Sequence, residues 1–128
     1  MVADRLNHRL DLWCLGDGTV WKQLGSQGTE PGQFSYPRAV AVASTGALVV
    51  TDQYRVQVLT VDGAVLCVFD PTAVVGVGRL GQYLYGVTVC ADTDEILVTD
   101  CRNHRVVALT WSPPSQVRPF FILFSIKA

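Results

Sequence analysis

The sequence predicts an all-β chain built from a repeated unit of short antiparallel strands, and three observations carry that reading. A segment of the form apolar run, Asp, short polar turn, Arg, apolar run occurs three times, and its aspartates Asp4, Asp52 and Asp100 are spaced 48 and 48 residues apart. The apolar runs are short, are punctuated by Gly, Asp and Ser, and nowhere show helical periodicity. The composition, 49% hydrophobic and 16% charged over 128 residues, is that of one globular domain with much buried surface.

Residues 10–15 and 19–24 are two runs rich in Leu, Trp and Val around Gly16-Asp17-Gly18, a hairpin signal because such turns need positive φ. Residues 25–37 read as a loop, broken repeatedly by Gly and Pro. Four strands are then expected at residues 38–43, 47–51, 56–61 and 64–69, with turns at Ser44-Thr45-Gly46, after Asp52, and at Asp62-Gly63. The pattern restarts with strands at 85–90, 95–99 and 105–111, the first two joined across residues 91–94. A fourth strand of this unit is expected within residues 117–126, weakened at its start by Pro119. Four-stranded sheets recurring every 40–50 residues are the mark of a β-propeller, whose blades stack face to face. Burial on both faces explains why Ala47-Leu48-Val49-Val50 is continuously apolar.

The motifs Gly32-Gln33-Phe34-Ser35-Tyr36-Pro37-Arg38, Leu48-Val49-Val50-Thr51-Asp52 and Arg55-Val56-Gln57-Val58-Leu59, closed by Asp62-Gly63, resemble an NHL repeat. Asn103-His104-Arg105-Val106 and Asn7-His8-Arg9-Leu10 resemble its Asn-His-Arg element; the middle copy has only Gln53 and Tyr54 between Asp52 and Arg55. The resemblance covers residues 2–111 and implies an NHL-type propeller, commonly of six blades, as found in ubiquitin ligases, RNA-binding regulators and some sensor and lyase proteins. The expected divisions are residues 1–111 as propeller blades (a partial blade 1–25, blades 36–70 and 83–111) and 112–128 as a divergent tail or poor last strand. Fewer than three blades cannot close a ring, so a fragment of a larger propeller, or self-association to cover the end faces, is expected.

The pairs Asp4 with Arg9, Asp52 with Arg55 and Asp100 with Arg105 are read as structural, each closing a turn through a charge-assisted hydrogen bond, since a ligand needs no identical residues in every blade. His8 and His104 are expected to cap those turns, because no third metal ligand repeats with them. Trp13, Trp21 and Trp111 are expected in the core or between blades. Cys14, Cys67, Cys90 and Cys101 form no metal or disulfide pattern and are read as reduced thiols; no metal and no cofactor is expected.

In a propeller the second-to-third strand turns and the interblade loops share one face, and the remaining turns share the other. The first face collects Arg5, Arg9, Arg38, Arg55, Arg79, Arg102 and Arg105 against Asp4, Glu30, Asp52, Asp70 and Asp100, a net of +2. The second collects Asp17, Asp62, Asp92, Asp94 and Glu95 without a basic residue, a net of −5. Candidate binding residues are Arg5, Arg38, Tyr54, Arg79 and Arg102, with Arg38 and Arg102 expected to face solvent beside Tyr36, Tyr83 and Tyr85. Arginine with aromatics suits an acidic peptide or single-stranded RNA.

The leading expectation is a non-enzymatic module binding a protein partner; the alternative is single-stranded RNA, and a lyase or sensor propeller comes third. An overall charge of −1 does not announce a polyanion binder. The N-terminus lacks an apolar signal core, and Phe120-Phe121-Ile122-Leu123-Phe124-Ser125-Ile126, a last strand or an aggregation-prone tail, is far short of the roughly 20 residues that span a bilayer. No membrane association and a cytoplasmic location are the expectations.

Overall fold

Runs of β-branched and leucine residues, cut at each turn by Gly, Asp or Ser, make strands the main regular structure among the described residues, with two short 3₁₀ turns. The computed structural model describes residues 1–71 and 79–112, together with the backbone of Phe124–Lys127. Among them are three antiparallel sheets. The first holds β1 (Val2–Asp4), β2 (Arg9–Trp13) and β3 (Val20–Leu24). The second holds β4 (Ala39–Val42), β5 (Leu48–Thr51), β6 (Val56–Leu59) and β7 (Val65–Phe69) in sequential order. The third holds β8 (Leu84–Val89), β9 (Ile96–Asp100), β10 (Arg105–Leu109) and β11 (Phe124–Lys127).

The sheets stack as blades, and the second is covered on both sides. Leu48 and Val50 of β5, with Leu59, pack against Leu10, Leu12 and Leu24 of the first blade. Val49, between them in sequence, points the other way and joins Val56 and Val58 against Leu84, Ile96, Val98 and Val107 of the third. Alternation of side chains across a pleat therefore turns an unbroken apolar run into two separate interblade cores.

Spacing within the repeated motif decides the turn. Four residues separate Asp4 from Arg9 and Asp100 from Arg105, enough for a 3₁₀ turn (Arg5–Asn7 and Cys101–Asn103) followed by a left-handed residue, His8 at φ 54° or His104 at φ 50°. Gln53 and Tyr54 leave no room for that turn, so Asp52 closes the loop itself, accepting from the backbone N–H groups of Tyr54 (2.9 Å) and Arg55 (3.1 Å).

The segment 25–37, a loop by composition, is anchored by a core residue. Phe34 is fully buried between the first two blades, and a Cβ on Gly25 would stand 2.3 Å from its ring, which explains the glycine there. Buried Gln57 holds the same loop, donating to the Gln33 carbonyl (2.7 Å) and accepting from the Gly32 N–H (2.9 Å).

Two tryptophans depart from expectation. Trp111 is buried, but Trp13 and Trp21 are 45% and 63% exposed. They lie toward one end of the hairpin, where the register slips between Leu12 and Trp13, on the blade face that has no neighbouring blade among the described residues. Strand position alone could not distinguish a covered from an uncovered blade. All four cysteines are free thiols. Of the expected last strand and tail, β11 pairs with β10, and residues 113–123 and 128 lie outside the described residues, as do residues 72–78.

Candidate functional site

The three Asp–Arg pairs lie on the face formed by the second-to-third strand turns. Arg9 Nη2 is 3.2 Å from Asp4 Oδ2, Arg55 Nε is 3.4 Å from Asp52 Oδ2, and Arg105 Nε is 2.9 Å from Asp100 Oδ2. The arginines reach further than their own turns. Arg55 also donates to the carbonyls of Thr29, Glu30 (3.0 Å) and Gln33 (2.9 Å), and Arg105 donates to that of Arg79 (2.8 Å). The Arg55 and Arg105 guanidiniums thus bind the incoming interblade loops to their turns, using the planar spread of their donors. The aspartates assist: Asp52 accepts from Ser35 N–H (3.3 Å), and Asp100 accepts from Gly81 N–H (3.1 Å) and Asn103 Nδ2 (2.9 Å).

The next blade is attached through a tyrosine in left-handed conformation, a feature not visible in the sequence. Tyr36, at φ 51°, donates its N–H to His8 Nδ1 (3.0 Å), and Tyr83, at φ 64°, donates to the Gln53 carbonyl (2.7 Å). Left-handed backbone is costly for a bulky residue, so these contacts compensate strain. Because His8 Nδ1 accepts, its proton sits on Nε2; the ring also packs 4.3 Å from that of Tyr36. His104, in the matching turn, is exposed. His8→Gly is expected to destabilise by about 1–3 kcal/mol more than His104→Gly, because only the former leaves a half-buried N–H unpaired while both relieve the same left-handed strain. Paired urea unfolding curves measure the difference.

The structure gathers the candidate binding residues into two groups and leaves two apart. The Arg38 guanidinium lies 4.1 Å from the Tyr85 ring centre and 5.3 Å from that of Tyr83, and Arg102 lies 4.8 Å from Tyr83 on its other contact. These form a ladder: Arg102, Tyr83, Arg38, Tyr85. Arg5 lies 5.8 Å from the Tyr36 ring, making a smaller second group. Tyr54 instead borders a groove of about 80 Å³ with Thr29, Ser35 and Arg55, and Arg79 is exposed, with its carbonyl engaged by Asn103 and Arg105.

Arg38 is a correction to the expectation of a solvent-facing charge. It is half-buried, and its Nε has no hydrogen-bond acceptor among the described residues, so aromatic faces hold this cation where acceptors would be usual. Sequence position placed it at a strand entrance but could not show that Tyr83 and Tyr85 arrive from the next blade. The opposite face also needs correction, since Lys22 Nζ reaches Asp62 at 2.8 Å and brings its formal charge from −5 to −4. There the Thr19 hydroxyl, 2.7 Å from Asp17, holds that carboxyl below its ordinary pKa. Asp94 latches blade three to blade two, accepting from the Ser44 N–H (2.8 Å) and hydroxyl (2.6 Å).

No group of three or more His, Cys, Asp or Glu side chains is placed to hold a metal among the described residues, and no helix among them is long and apolar enough to cross a membrane. The NHL repeat model matches residues 85–109. No curated protein matches the chain. Among solved structures, a selenomethionine-substituted virginiamycin B lyase from Staphylococcus aureus is similar at 17% identity and a TM-score of 0.63, over 97% of this chain. This chain spans 36% of that one, and at such identity the likeness is one of fold. The described residues form an all-β array of β-propeller blades, and residues 85–109 match the NHL repeat.

Proposed function

We propose that this chain is a non-enzymatic interaction module whose Arg/Tyr face binds an acidic segment of a protein partner. The observation that carries the reading is the ladder of Arg102, Tyr83, Arg38 and Tyr85, which spans two blades and leaves Tyr85 48% exposed. Arginine whose orientation is already set by aromatic contact loses little entropy on meeting a carboxylate, and aromatic–arginine clusters are the usual anchors of protein interfaces. Arg5 with Tyr36 extends the same face, and Tyr54 and Arg79 lie at its margins. The Asp–Arg pairs are read as turn supports, those of Asp52 with Arg55 and Asp100 with Arg105 having hydrogen bonds already spent on backbone groups. The module is proposed to work within a larger propeller or an assembly that covers its end blades.

Single-stranded RNA is the second reading, favoured by the exposed rings of Tyr36, Tyr54 and Tyr85, on which bases could stack. Titrating the chain with an acidic peptide and with an unstructured oligoribonucleotide at several salt concentrations separates the two. Binding to RNA falls steeply with salt through counterion release, whereas a peptide interface with aromatic anchors falls less. Arg102→Glu is expected to weaken acidic-peptide affinity about tenfold with little change in stability, as its side chain is on an exposed turn. Arg38→Glu should lower both affinity and stability, because it removes two aromatic contacts and leaves a half-buried carboxylate in their place. Unchanged affinity in both variants for both ligands would remove this face as a binding site.

A further inference from the structure

The opposite face holds a feature that the Arg/Tyr ladder does not use. Between blades two and three is a cavity of about 270 Å³, walled by the β4–β5 turn (Thr45, Gly46, Ala47), by Val61 and Leu66, and by Trp111 at its floor. That volume accommodates a leucine- or phenylalanine-sized side chain. Its wall is mostly carbon, and Val61 is 39% exposed at its edge. The Trp111 indole Nε1 is buried without an acceptor among the described residues, a group that an incoming backbone carbonyl could satisfy.

On the face around this apolar pit the charge is predominantly negative. Asp62 follows Val61 directly, with its side chain 81% exposed, and Asp94 is bound to Ser44, next to the wall residue Thr45. Asp92 and Glu95 lie on the same turn as Asp94, and Asp17 projects from the first blade's turn on this face; against these five acids stands Lys22. An apolar pocket on a face of net −4, with Asp62 and Asp94 at its edge, selects for an apolar anchor with positive neighbours and repels acidic segments.

We propose that this cavity is a docking site for an extended, basic segment of a partner protein, which seats one leucine or aromatic side chain against Trp111 and places flanking Lys or Arg beside Asp62, Asp92 and Glu95. The site is independent of the Arg/Tyr face: the two carry opposite charge and would take opposite partners, so one module could bridge an acidic and a basic chain.

The test is a positional-scanning array of random decapeptides probed with the labelled 128-residue chain. Selected peptides are expected to carry Leu, Phe or Trp at one position with Lys or Arg within three positions of it. Val61→Lys, which fills the mouth of the pocket from an exposed turn and adds a positive charge there, should weaken those peptides at least about tenfold, as expected when an anchor pocket is lost. Asp92→Lys, on a separate exposed turn, should reduce the preference for flanking basic residues while retaining the apolar anchor. Arg102→Glu should leave these peptides unaffected, which separates this site from the opposite face. The proposal is overturned if no basic peptide with an apolar anchor is selected, or if Val61→Lys and Asp92→Lys both leave such peptides bound as before.

Discussion

Replacing Asp52 with alanine is expected to cost about 3–5 kcal/mol of stability, the range for removing one partner of a buried ion pair. The carboxylate is 1% exposed and accepts from three backbone N–H groups, of Ser35, Tyr54 and Arg55, besides facing the Arg55 guanidinium. Truncation leaves those donors and a cation unsatisfied at once, and releases the loop that Arg55 ties to the second blade. Asp100→Ala should fall in the same range, since Asp100 is fully buried and receives Gly81, Asn103 and Arg105. Asp4→Ala should cost much less, about 0–1 kcal/mol, because its side chain is 24% exposed and Arg9 retains Asp11 3.2 Å away. Denaturant unfolding of the three variants gives the order directly. If the first two were stable while ligand binding collapsed, the aspartates would be ligand contacts and the structural role assigned to them would be wrong.

The second large effect is on association. The outer faces of the first and third blades have no neighbouring blade among the described residues. On the first, Val2, Trp13, Val20 and Trp21 are exposed; on the third, Leu97 and Val106 line an open groove of about 330 Å³. If each face exposes about 400 Å² of apolar surface, then at about 25 cal/mol per Å² each forgoes about 10 kcal/mol of burial. That is comparable with the whole stability of a domain, typically about 5–15 kcal/mol. The 128-residue chain is therefore expected to self-associate as its concentration rises, with hydrophobic-dye binding at low concentration. The two faces should not contribute equally. Asp11, held near Arg9 and by Gln23 Nε2 at 3.1 Å, sets a polar patch into the first face, so Leu97→Lys should suppress association more than Trp21→Lys. Sedimentation velocity over a wide concentration range measures both. A compact monomer throughout would mean that these faces are covered in some way other than by another blade.

Much of the strand layout was legible because its causes are local. Gly and Asp at each turn, β-branched runs between them and the recurrence of Asp and Arg at a constant spacing are properties of neighbouring residues, and they located the strands of the first two sheets and of β8–β10 to within a residue or two. Even the difference between a 3₁₀ turn and a tight one follows from counting residues between Asp and Arg. The unbroken run Leu48-Val49-Val50 likewise announced two covered faces before either cover was identified.

What only the tertiary structure decided is where one blade meets another. Trp13 and Trp111 are both tryptophans at or near strand ends, yet one is exposed and the other buried, because Trp111 joins the core between the second and third blades while no described blade covers the outer face of the first. Phe34 sits in a stretch with the composition of a loop and becomes core because the first two blades close on it. Arg38 looked like a free surface charge until Tyr83 and Tyr85, some 45 residues later, were folded beside it. In each case the deciding partner is distant in sequence and arrives only through blade stacking. Short-range pattern therefore determined the strands and their turns, while burial, the Arg/Tyr ladder and the pocket lined by Trp111 depend on contacts that no local spacing encodes.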